Sequence, residues 1–147
     1  MVKKALAFIF RNNNTELLCF VHPKTGWLEV VRGTIEKNED PERAIVRELF
    51  EEAGINETKI ENISFAGNTT IKINGGYDAT GPLEEQTYFG FQIKLKNENR
   101  KTWVHKVVSD GIDNGHKYTF EWKKYDEDLV EKLNPFTKDF IDKKIEL

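Results

Sequence analysis

The sequence predicts an α+β fold, with helices packed against a mixed or antiparallel sheet. Three observations point there. Short apolar, strand-like runs fill the first thirty residues and recur between residues 59 and 125. Between them, residues 41 to 53 switch to helical spacing, and helical spacing returns at the C-terminus. The length of 147 residues suits one domain, 1–147, with a real hydrophobic core.

Lys4 to Phe10 is an apolar run ended by the polar cluster Arg11-Asn12-Asn13-Asn14, and Leu17 to Val21 is a second, so the pair reads as a hairpin. Cys19 alternates into the second run as a core residue; as the lone cysteine it excludes an intramolecular disulfide and a Cys-based zinc cluster. Pro23-Lys24-Thr25-Gly26 predicts a turn, and Trp27 to Val31 a short strand leading to Gly33. Asp40-Pro41 then signals a helix start, because Asp40 can accept from free backbone amides and Pro41 has no N–H to leave unpaired. Val46, Leu49, Phe50 and Ala53 recur at helical spacing, and Gly54 supplies a left-handed stop, so the helix spans Pro41 to Ala53.

Further strands are expected at Lys59–Ala66, Thr69–Ile73, Thr87–Leu95, Thr102–Val108 and Tyr118–Tyr125. Loops are expected from Gly75-Gly76 to Gly81-Pro82 and over Asp110–Gly115. Leu129, Val130 and Leu133, then Phe136, Phe140 and Ile141, form two short helical patterns divided near Pro135.

A net charge of -3 and a pI near 5.7 offer no global attraction for nucleic acid or anionic lipid. A phosphate-bearing partner must then be held by local groups or by a metal ion. The N-terminus, MVKKALAFIFRNNN, starts basic and apolar, but its run is short and no small-residue cleavage site follows. No segment approaches the roughly 20 apolar residues of a membrane span. A cytoplasmic protein is expected.

Residues 33–55, GTIEKNEDPERAIVRELFEEAGI, hold seven carboxylates and three basic side chains. On a helix Glu52 lies about 40° to one side of Glu48 and Glu51 about 60° to the other, so the three share an arc of roughly 100°. The apolar residues fall mostly opposite, which predicts one buried face and a carboxylate face turned to a cleft or to water. Like charges at this spacing cost about 0.2–0.5 kcal/mol per pair. Arg47 can offset part of that through Glu51 and Glu39, and a divalent cation would do so far better, since Mg²⁺ and Mn²⁺ favour oxygen ligands.

The spacing Gly33, five residues, Glu39, seven residues, then Arg47-Glu48-Leu49-Phe50-Glu51-Glu52-Ala53-Gly54-Ile55 resembles the Nudix box at every defining position. The resemblance implies a Nudix-type α/β/α sandwich with a mixed central sheet. It also implies a hydrolase that cleaves a nucleoside diphosphate linked to another moiety, with Mg²⁺ or Mn²⁺ as cofactor and water attacking phosphorus in line. By position, Glu48, Glu51 and Glu52 are the implied metal ligands, with a backbone carbonyl at Arg32 or Gly33, and Glu48 or Glu52 the implied base. Glu39 and Arg47, with the helix stop Gly54, are the implied brace of the box.

A further acidic ligand is expected downstream. Glu84, Glu85, Asp110, Asp113 and Glu121 qualify by composition, and Asp113 is preferred because its loop precedes the strand with Phe120-Glu121-Trp122. Substrate contacts are expected from Arg32, Trp27 and Tyr77, with Phe65, Tyr88 and Trp103 as further aromatic candidates. His22, His105 and His116 lack metal-ligand spacing, and His105 reads as structural. Val31 stands where a proline usually precedes the box. The implied partner is a small nucleotide, with neither membrane nor nucleic acid, and a homodimer is consistent with the resemblance. Two other readings are removal of diphosphate from triphosphorylated RNA 5′ ends and nucleotide sensing without turnover.

Overall fold

The computed structural model describes residues 1–74 and 83–145. In chain order its elements are β1 (Val2–Arg11), β2 (Glu16–Val21), β3 (Leu28–Glu29), β4 (Val31–Thr34), α1 (Pro41–Ala53), β5 (Ile60–Asn74), β6 (Leu83–Leu95), β7 (Thr102–Lys106), β8 (Lys117–Lys124), α2 (Glu127–Lys132) and α3 (Pro135–Lys144). The loop expected between Gly75 and Pro82, with Tyr77, lies outside the described residues.

The strands form one mixed sheet in the order β5-β6-β1-β2-β8-β7, with β3 paired to β2 and β4 to β1. β1 and β6 run parallel, and the other pairings are antiparallel. β1 is apolar along its centre because it is covered on both faces. Ala5, Ala7 and Ile9 pack with Ala44, Ile45, Leu49 and Ala53 of α1. The alternate residues Leu6, Phe8 and Phe10 pack with Leu129, Val130 and Leu133 and with Phe140 and Ile141. The result is the α/β/α sandwich with a mixed central sheet, α1 on one face and α2 and α3 on the other.

Pro41 to Ala53 forms the expected helix, and Pro135 opens α3 where a break was expected. Two strand expectations need correction. The run from Trp27 to Val31 divides: Leu28 and Glu29 pair with Val21 and Phe20, while Val31 to Thr34 crosses to β1. The runs 59–66 and 69–73 form one strand, β5, because a register shift between Phe65 and Gly67 lets pairing with β6 continue through the glycine. Cys19 is buried, and burial pushes its thiol up to about 12, consistent with a core role. Among the described residues no helix is long and apolar enough to cross a membrane.

Candidate active site

α1 is fixed at both ends. The Asp40 side chain accepts from Glu42 N at 3.0 Å and Arg43 N at 3.3 Å, and Pro41 occupies the first turn. At the other end Gly54 takes φ 69°, its N–H bonds Phe50 O, and Ile55 N bonds Leu49 O, closing the last turn. The segment from β7 into the following loop satisfies further carbonyls of this turn. Trp103 Nε1 donates to Ala53 O at 3.0 Å, His105 Nε2 to Glu51 O at 3.1 Å, and Val108 N to Glu51 O at 3.2 Å. The His105 ring lies over Gly54, where an added Cβ would come within 2.7 Å of Nδ1. Trp103, weighed as a substrate contact, instead stacks on Phe120 and anchors the helix; His105 is structural, as its strand setting suggested.

The helix buries Val46, Leu49 and Ala53 of the expected apolar stripe, but it leaves Phe50 out and buries two of the carboxylates as well. Phe50 is 57% exposed, whereas Glu48 is 7% and Glu52 6% exposed. The cause is β4, which meets α1 with a glycine. A Cβ on Gly33 would sit 1.9 Å from Glu48 Cδ and 2.1 Å from its Oε1, so the Glu48 carboxylate occupies the space a side chain would fill. Glu52 Oε1 accepts from Arg32 N at 3.2 Å. The carboxylates are therefore packed against β4 rather than turned to water.

Arg47 organises this ground. Its Nε and Nη2 reach Glu39 at 2.9 and 3.0 Å, Nη2 also donates to Thr34 O at 2.9 Å, and Nη1 reaches Glu48 at 2.8 Å and Glu51 at 3.1 Å. Glu39 in turn accepts from Glu36 N at 3.0 Å. One guanidinium thus ties the segment after β4 to the helix, and the Arg47–Glu39 pair expected from the sequence extends to Glu48.

The charge balance is uneven. Burial pushes Glu48 up to about 7 despite the opposing pull of Arg47. Glu51 is raised by burial, against Arg47. Glu52 lies well above its ordinary 4.5, through burial first and the neighbouring Glu48 second. Glu39 is lowered by Arg47. Arg47 pairs directly with Glu48 and Glu51, and the side chains of Arg32 and Lys4 act on the buried acids only through their charge, yet the carboxylates stay raised, which favours either a proton or a metal ion there.

Among the described residues no group of three or more His, Cys, Asp or Glu side chains is gathered into a ready chelate. Arg47 draws Glu48 and Glu51 to itself while Glu52 leans on Arg32 N, which sets the acids apart. In donor chemistry the set still fits a hard cation: oxygen atoms only, buried, and short of positive charge.

Asp113 lies in the loop after β7, accepts from Ser109 Oγ at 2.6 Å, and its charge raises Glu48, Glu51 and Glu52. Asp110 of the same loop acts on Glu51. The other downstream candidates have partners of their own: Glu84 accepts from Gln86 Nε2 at 2.7 Å, Glu85 pairs in register with Lys72, and Glu121 is bridged to Lys123. Trp27 is 43% exposed, and its backbone bonds are those of the 22–27 turn. Tyr88 is buried and donates to Gln86 Oε1 at 3.0 Å. Phe65 lies exposed on β5 against Phe89 and Phe91.

Sequence reasoning missed one polar pair near Arg32. Glu29 is 3% exposed and accepts from Asn134 Nδ2 at 2.8 Å; burial raises its pKa, while Arg32 opposes the rise. The available signals were a glutamate between Leu28 and Val30 and an Asn before Pro135. Their contact spans 105 positions and could not be read locally.

A family model described as NUDIX domain matches residues 2–143. Comparison with curated protein sequences gives no significant match. Among solved structures, the chain is similar to a mutator MutT protein from Bacillus halodurans, with TM-score 0.65 and 20% identity, covering 97% of this chain and 80% of that one. It is also similar to an Ap4A hydrolase from C. elegans, at TM-score 0.61 and 19% identity over 97% and 95% of the two chains. A third is the E. coli dihydroneopterin triphosphate pyrophosphohydrolase, at TM-score 0.64 and 16% identity over 96% and 92%. At these identities the structural likeness establishes the fold. With the family match over nearly the whole length and the complete motif at 33–55, the chain belongs to the Nudix family and is a hydrolase of phosphoric anhydride bonds.

Proposed function

We propose that this hydrolase acts on a small nucleotide, cleaving a diphosphate linkage in a reaction that depends on Mg²⁺ or Mn²⁺, in a general nucleotide-clearing role. The observation that carries the reading is the pair of buried carboxylates, Glu48 and Glu52, packed on Gly33 and Arg32 N with pKa values raised by burial. Glu48, Glu51 and Glu52 would hold the ion, with backbone oxygen at Arg32 or Gly33 and with Asp113 from the facing loop. When bound, the ion neutralises the diphosphate and polarises a phosphoryl oxygen.

The chain's own groups supply the rest. A carboxylate with a pKa near 7 is matched to accept a proton from water at neutral pH, which suits Glu48, and Glu52, raised in the same direction, is the other candidate base. Glu39 and Arg47 hold the segment after β4 at a fixed distance from the helix. Arg32 and Trp27 are the proposed substrate contacts. The three similar structures are named for a mutator protein, a dinucleoside polyphosphate hydrolase and a pterin triphosphate hydrolase, which supports a small polyphosphate substrate.

The test is phosphate release, with a coupled phosphatase, across nucleoside triphosphates, nucleotide sugars, ADP-ribose, dinucleoside polyphosphates and capped or triphosphorylated RNA. A strong small-nucleotide activity that needs Mg²⁺ or Mn²⁺ and stops with chelator is expected. Activity confined to RNA ends would replace this reading with the RNA one. Nucleotide binding without turnover across the panel would replace it with the sensing one.

A further inference from the structure

In the sequence Lys4 is only the first residue of a strand, yet its register sets it beside the strand that carries Arg32 and Gly33. In β1 it stands directly opposite Thr34 of β4 and Tyr88 of β6, and Leu6, two positions on, stands opposite Arg32. Residues paired across strands point to the same side of a sheet. Lys4, Arg32, Thr34 and Tyr88 therefore share one face at one end of the sheet. The carboxylates of α1 reach the same strand from its other side, at Gly33.

The cations of this region differ in how they are engaged. Arg47 is spent on Glu39, Glu48, Glu51 and Thr34 O. Lys4 Nζ has one hydrogen bond among the described residues, to the neutral Thr34 Oγ1 at 2.7 Å, and no ion pair. It is half-buried, and burial with the adjacent Arg32 lowers its pKa against the pull of Glu48, Glu52 and Glu84. Glu84, the carboxylate on its own side, is already bonded by Gln86. A partly desolvated ammonium beside a guanidinium, with a hydroxyl as its partner, is short of an anion.

We propose that Lys4, side by side with Arg32, binds a phosphate group of the substrate on the β1–β4 floor, across from the carboxylates of α1. This rests on the reading of the substrate as a small polyphosphate. A compact ammonium serves a phosphate as a point charge, and the planar arginine next to it supplies directional donors. Two cations side by side also give a net-negative protein a local place to hold a polyanion.

The test uses the full chain as Lys4→Met and Lys4→Arg, with two readouts. The first is calorimetric binding of inorganic pyrophosphate in saturating Mg²⁺, which needs no turnover. The second is the KM and kcat of whichever substrate the activity panel identifies. Lys4→Met is expected to weaken pyrophosphate about tenfold or more, about 1.4 kcal/mol. It should raise KM by a similar factor with kcat changed less than about threefold, and Lys4→Arg should restore most of both. Unchanged pyrophosphate affinity and KM in Lys4→Met would overturn the proposal, as would a loss of Mg²⁺ affinity with pyrophosphate binding intact. Should Lys4→Met melt below the assay temperature, Lys4→Gln takes its place under the same criteria. A silent substrate panel would count against the functional reading alone, because the pyrophosphate arm still decides the role of Lys4.

Discussion

Glu52→Gln is expected to lose turnover by on the order of 10³-fold or more while making the metal-free protein more stable at pH 8. Both halves come from one fact: Glu52 is 6% exposed beside the equally buried Glu48. Gln keeps the oxygen that accepts from Arg32 N, so the local bond survives while the buried charge is removed. The sign of the pH dependence follows. Glu48 and Glu52 bind protons more tightly when folded than unfolded, so the stability they contribute is fully present below the unfolded value near 4.5 and is lost as pH rises through the folded values.

For Glu48 that window runs from 4.5 to about 7, a difference worth on the order of 3 kcal/mol. In chelator, wild type should therefore melt roughly 10 °C lower at pH 8 than at pH 5, with other titrations held equal. Glu52→Gln should narrow the gap, and the gain in melting temperature should appear at pH 8 and fade at pH 5. A variant that is active, or one that is less stable than wild type at pH 8, would refute the assignment. Helical spacing predicts these carboxylates on a face turned to a cleft or to water; the burial of Glu48 and Glu52 is what couples them to stability.

Gly33→Ala should cost at least about 100-fold in kcat/KM with little loss of fold. Gly33 has no left-handed backbone to protect, and what forbids a side chain is the Glu48 carboxylate 1.9 Å from the new Cβ. That carboxylate ends a flexible side chain, so it can swing toward water, and leaving a low-dielectric site offsets much of the disturbance. Melting temperature should move by only a few degrees, while the Mg²⁺ concentration needed for half-maximal rate rises at least about tenfold. Wild-type metal dependence in Gly33→Ala would show that the contact between Gly33 and Glu48 has no part in the site.

Much of this was legible because it is local. Asp40-Pro41, the spacing through Ala53 and Gly54 define α1 from short-range rules, and the motif at 33–55 marks the site by residue type and distance along the chain. What could not be read depends on partners far away in sequence. Phe50 is apolar and exposed, and Glu48 and Glu52 are charged and buried, because β4 brings a glycine against α1. Composition along the helix does not contain that fact. Trp103 and His105 looked like ordinary strand residues, and only the docking of β7 on the end of α1 gives their ring nitrogens the carbonyls of Ala53 and Glu51. Lys4 gained its meaning from cross-strand register, as Glu29 did from Asn134. The division of 27–31 and the joining of 59–73 have the same origin, since pairing rather than propensity decided them.

On the proposed reading, the buried carboxylates of α1 are kept for a divalent cation. The most direct measurement is calorimetric titration of Mg²⁺ or Mn²⁺ at pH 7 in buffers of different ionisation enthalpy, which counts protons released on binding. Burial raises Glu48 to about 7 and holds Glu52 well above its ordinary 4.5, so a cation that binds both carboxylates has protons to displace. Saturable binding with proton release is expected, and Glu52→Gln is expected to release fewer protons than wild type. Binding with no proton release, or proton release that Glu52→Gln leaves unchanged, would contradict that reading.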